Sequence, residues 1–83
     1  MNPEGDMEFV RVRWVDSLST GRWQNTQDIE AGDPWECVSV GWIVARSKGV
    51  ITIGAHIGLG QVNGTIEIPI VAVLAIDEIE LPK

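Results

Sequence analysis

Val10-Arg-Val-Arg-Trp-Val15 alternates apolar and basic side chains, and its reading decides the fold class. Successive side chains of a β-strand point to opposite faces. The alternation sets Val10, Val12 and Trp14 on one side and Arg11 and Arg13 on a wet side, which is a half-buried strand over residues 8–15. Cys37-Val-Ser-Val-Gly-Trp-Ile-Val-Ala-Arg46 repeats the pattern. Here Val38, Val40, Trp42 and Val44 fall in phase, and Ser39, Gly41 and Ala45 make a small-residue face with Cys37 and Ile43. The two tryptophans in phase with valines, Trp14 and Trp42, are expected in the core.

Outward from these two strands the pattern continues. Arg46-Ser-Lys-Gly49 interrupts it, and Val50-Ile-Thr-Ile53 resumes with β-branched residues, a hairpin with Gly49 at its turn. Gly54, Gly58 and Gly60 around His56 bend or end that strand. Gln61 to Ile68 reads as a fourth strand, stopped by Pro69, which has no N–H to give a ladder. Ile70-Val-Ala-Val-Leu-Ala-Ile76 is apolar on both faces and is expected to be buried in a core or an interface. It leads into a fifth strand over residues 73–81, whose acids Asp77, Glu78 and Glu80 form a wet face.

No segment carries a long stripe of 3.6-residue period, so the fold class is all-β. Five short strands must curl to cover their apolar face, and a five-stranded SH3-like or Sm-like barrel is the economical architecture. The domain spans residues 8–83 behind a flexible tail over residues 1–7. A long loop follows the first strand. Its turn formers, Asp16-Ser-Leu-Ser-Thr-Gly21, give way to residues 22–36 without periodicity. A helix at residues 26–31 would have only Ile29 as an apolar stripe, so the segment reads as a functional loop.

The chain has 83 residues, 45% of them hydrophobic and 22% charged, with a net charge of −6. So short a chain buries a small core and gains security by self-association. Six basic residues against twelve acidic ones exclude a long nucleic acid as the partner, because that affinity rests on phosphate neutralisation. The single cysteine, Cys37, excludes an internal disulfide and a multi-cysteine zinc site, and reads as a small core hydrophobe. The longest apolar run falls far short of the ~20 residues of a membrane span. The first residues lack the basic and apolar pattern of a signal peptide, so the expected location is the cytoplasm.

Catalytic signatures are missing from the pattern. The serines sit in no strand–turn–helix elbow, and Gly54 to Gly60 precedes no helix that would receive a phosphate. The expectation is a protein that is not an enzyme and takes no cofactor or metal. Four residues form the candidate ligand site. Arg22 and Trp23 are adjacent in the polar loop, suited to anion pairing and ring stacking. Arg46 offers a second anion contact, and His56, in Gly54-Ala-His-Ile-Gly58, a hydrogen bond at a glycine-bounded strand end. Trp35 lies in the same loop as Trp23, and the pair either closes the barrel as a lid or anchors a partner.

Val10-Arg-Val-Arg-Trp-Val-Asp-Ser17, Cys37-Val-Ser-Val-Gly-Trp-Ile-Val44, Ile51-Thr-Ile53 and Gln61-Val-Asn-Gly-Thr-Ile-Glu-Ile-Pro69 together resemble a group of short phage and prophage proteins, over residues 10–81. Members often carry a basic residue after the Ile-Pro pair, where this chain has Ile70. The strand–Pro–turn–strand ending is similar to that of Sm-like proteins, which often assemble into rings. The resemblance implies a homo-oligomer in the host cytoplasm. It also implies a non-enzymatic binding protein: a host-defence antagonist that sequesters a small, anionic, nucleotide-type signal. The alternative is a protein-interaction module that inhibits a host protein or serves in phage assembly.

Overall fold

A computed structural model describes residues 7–17 and 21–80. Five strands, β1 (Phe9–Asp16), β2 (Trp35–Arg46), β3 (Val50–Gly58), β4 (Gln61–Pro69) and β5 (Val73–Glu78), form one antiparallel sheet in the order β4-β3-β2-β1-β5. The expected tail lies outside the described residues apart from Met7, as do residues 18–20 of the loop and the end beyond residue 80. The all-β class and the five strands are as the alternation predicts. The sheet is not closed into a barrel: β4 and β5 are its two edges.

Register explains which side chains are buried. β1 pairs with β2 from Phe9–Trp42 to Asp16–Trp35, and this sets Val10 opposite Gly41 and Val12 opposite Ser39. β3 pairs with β4 from Val50–Pro69 to Gly58–Gln61. Val10, Val12, Ile43, Ile51, Ile53 and Ile68 make the buried core, with Trp14 and Val73 packed against it. The indole N–H of Trp14 donates to the Ser39 hydroxyl at 3.0 Å across the core side of β1 and β2. Each buried aliphatic side chain contributes about 1.5–3 kcal/mol, so a core of six leaves a small margin.

β2 turns the opposite side inward from the one its valines imply. Ser39, Gly41 and Ile43 face the core up to a bulge at Ile43/Ala45, while Val38 and Val40 are 59% and 51% exposed beside Arg13 and Arg11. The cause is close approach: a β-carbon on Gly41 would stand 2.7 Å from Ile53 Cγ2 and 2.5 Å from the Gly54 carbonyl oxygen. Only the small-residue face fits there. Trp42, expected in the core, lies on the other side of the sheet, tilted at 53° against Phe9 with ring centroids 4.9 Å apart. Cys37 is half-buried, opposite Trp14.

The apolar run over residues 70–76 is not buried within the chain. It opens with a single 3-10 turn, Ile70–Ala72, anchored by the Ile70 amide donating to the Gly49 carbonyl at 2.9 Å. β5 then adds to β1 alone, with a bulge at Arg13/Trp14. Ile70 and Val71 stay exposed on the turn, and Leu74 and Ile76 on an edge strand covered on one flank only, while Val73 packs on the core.

Candidate functional site

The β1–β2 connection is an excursion away from the core. Its ladder ends at Asp16 opposite Trp35, and every described residue from 21 to 36 is exposed. One 3-10 turn, Thr26–Asp28, gives it local order. The Asp28 amide donates to the Asn25 carbonyl at 3.0 Å, and the Asn25 side-chain amide donates to an Asp28 carboxylate oxygen at 3.4 Å. With few apolar residues to collapse, the segment folds on itself rather than onto the sheet.

The excursion encloses an open cleft of about 820 Å³, lined among others by Arg22, Trp23, Asp16, Asp28, Asp33 and Trp35. Glu30 adds a fourth carboxylate. Trp23 is fully exposed and Trp35 60% exposed, so neither covers the core as a lid. Arg22 and Trp23 thus share one wall system, as their adjacency implies. Three of the four cleft acids, Asp28, Glu30 and Asp33, are close in sequence, whereas Asp16 joins them from the end of β1.

The other two candidate residues stand elsewhere. Arg46, at the end of β2, reaches back to Glu8 with 3.4 Å between Nη2 and Oε1. His56 lines a shallow cleft of about 330 Å³ at the end of the β3–β4 hairpin, with Ile57, Gln61, Val62 and Asn63. Neither residue lines the excursion cleft. The Arg22–Trp23 pair, Arg46 and His56 are therefore three separate places within one copy of the chain.

Charge is distributed unevenly between sheet and excursion. On the sheet, Arg11 pairs with Asp77 at 2.9 Å and Arg13 with Glu36 at 2.8 Å. All three ion pairs among the described residues sit about half exposed, where such pairs contribute at most about 1 kcal/mol. Asp16, Asp28, Glu30, Asp33 and Arg22 enter none of them. Among the described residues, no group of three or more His, Cys, Asp or Glu side chains converges as a metal-binding set. No helix among them is long and apolar enough to cross a membrane. Compared with family models, with curated proteins and with solved structures, the chain matches none.

Proposed function

We propose that the chain is a non-enzymatic, phage-encoded binding protein that recognises its target through the β1–β2 excursion and self-associates through its sheet edges. The observation that carries this reading is the exposure of Trp23, in a connection that supplies nothing to the core, and of Trp35, at the first residue of β2, against the same cleft. A solvated indole forgoes the burial that makes large aromatic residues stabilising, and tryptophan is enriched among the anchors of interfaces. Two target classes fit. A protein partner, such as a host protein to be inhibited or an assembly component, is favoured by the four carboxylates of the cleft. A small anionic ligand, as for a host-defence antagonist that sequesters a nucleotide-type signal, is favoured by Arg22 beside Trp23. Arg46 and His56 would then come from a second copy or play no part.

The fold supports the oligomeric half of the reading. β5 returns to β1 after a 3-10 turn, an order compatible with a small SH3-like or Sm-like barrel, and both edges keep unpaired backbone groups. Exposed Ile70, Val71, Leu74 and Ile76 flank one of those edges. The host cytoplasm is the compartment this reading assigns.

The test is co-precipitation from host extract and calorimetric titration with ADP-ribose and cyclic dinucleotides, using the full chain and its Trp23→Ala/Trp35→Ala double variant. Binding by the wild type that the variant loses is the expected result. No binding in either experiment, or binding the variant keeps, overturns the excursion as the recognition element.

A further inference from the structure

Resting on the excursion as the binding element, we propose that its occupant is the basic surface of another protein. Trp23 and Trp35 are the anchors, and the surrounding carboxylates select the partner by charge. The argument begins with the contrast between sheet and excursion. Each arginine on the sheet faces a carboxylate of its own chain at 2.8 to 3.4 Å, so the sheet's guanidinium charges are all matched, with Glu67 and Glu78 standing apart from one another on β4 and β5. The excursion differs. Among the described residues, Asp16, Asp28, Glu30 and Asp33 line the cleft with Arg22 as the one basic residue, an excess of three negative charges (four less one). Among the described residues none of these five groups has an ion-pair partner.

Charge complementarity then chooses among occupants. A second copy brings the same acidic excursion and a net charge of −6, so like charge opposes that contact. A nucleotide-type anion meets four carboxylates for one guanidinium. A protein surface rich in arginine meets the reverse. Its guanidinium groups pair with the carboxylates and stack on the exposed indole faces, an attraction that strengthens as water is excluded. Carboxylates on a protruding element also steer a basic partner during approach. Trp23, fully exposed beside the cleft, is the side chain with most area to bury on docking.

The experiment titrates the full chain with a twelve-residue peptide of alternating Arg and Ala, and with the matching Glu and Ala peptide, following tryptophan fluorescence at low and at 0.3 M salt. The expected result is binding of the arginine peptide alone, weakened by salt. Trp23→Ala and the double variant Asp28→Asn/Asp33→Asn each weaken it tenfold or more, with the thermal midpoint unchanged. Equal binding of both peptides overturns the proposal, as does arginine-peptide binding that Trp23→Ala leaves intact. Uptake of ADP-ribose that depends on Trp23, without arginine-peptide binding, also overturns it while leaving the excursion as the binding element. Loss of that element itself is read separately, from targets captured equally by wild type and the double tryptophan variant.

Discussion

The carbonyl oxygen of Gly54 lies 2.5 Å from where a β-carbon on Gly41 would stand, so β2 and β3 meet at a point that admits no side chain. Gly41→Ala must push backbone against backbone. We expect a loss of about 1–3 kcal/mol, the usual cost of overpacking, read as a lower thermal midpoint. Gly49, with nothing within 4 Å of its would-be β-carbon, is the control. Gly49→Ala should stay within about 0.5 kcal/mol of wild type, and an equal effect at both positions would contradict this account.

Leu59 holds a positive φ of 52°, followed by Gly60 at 71°, in the two-residue turn joining β3 and β4. Such turns favour Asn-Gly, because a bulky side chain strains the left-handed conformation by roughly 1–2 kcal/mol. Leu59 is fully exposed, so its replacement forfeits no packing. Leu59→Asn should therefore stabilise the chain by about 1 kcal/mol, raising the midpoint by about 4–8 °C for a domain of this size. Calorimetry that finds no increase would show the turn to be unstrained.

The Trp14–Ser39 hydrogen bond is the core's polar fastening. Trp14→Phe should cost about 1 kcal/mol or somewhat more, and Ser39→Ala a similar amount by stranding the indole N–H. Because both changes remove one interaction, a double-mutant cycle should return a coupling of about 0.5–1.5 kcal/mol. Strict additivity would show that the bond contributes nothing.

Two aliphatic residues near the sheet edges should behave in opposite ways. Ile68 is fully buried, and Ile68→Ala should cost about 2–5 kcal/mol in urea unfolding. Leu74 is exposed at the β5 edge, and Leu74→Lys should leave the fold intact but lower the mass measured by light scattering toward 9.1 kDa. A wild-type mass already at 9.1 kDa removes self-association from the functional reading.

The strands were legible because alternation is a local signal. β1 and β4 match their expected spans within a residue, and β2 begins two residues earlier, at Trp35 rather than Cys37. What alternation does not encode is which face of a strand turns inward. Both faces of β2 were recognised, but the contact that excludes the valine face joins Gly41 to Gly54, on another strand. The same limit applies to the site. Arg22 and Trp23 are neighbours in sequence and share a cleft, whereas the partner of Arg46 is Glu8, 38 residues away, with no local pattern to announce it. Residues 70–76 were read as apolar on both sides; the exposure of Leu74 and Ile76 follows from β5 having a neighbour on one side only, and that of Ile70 and Val71 from the turn that precedes it.

No core residue comes from residues 21–34, and every one of those residues is exposed. On the function proposed above, stability and most of the recognition surface are thus written in different letters of the chain. A substitution in the excursion does not draw on the narrow stability margin of a six-residue core, so on that reading it alters binding alone. Lengthening it costs little, since closure entropy grows only slowly with loop length. The sheet is in this sense a holder, and a lineage under pressure from changing targets is free to rewrite what it holds out while the holder stays the same.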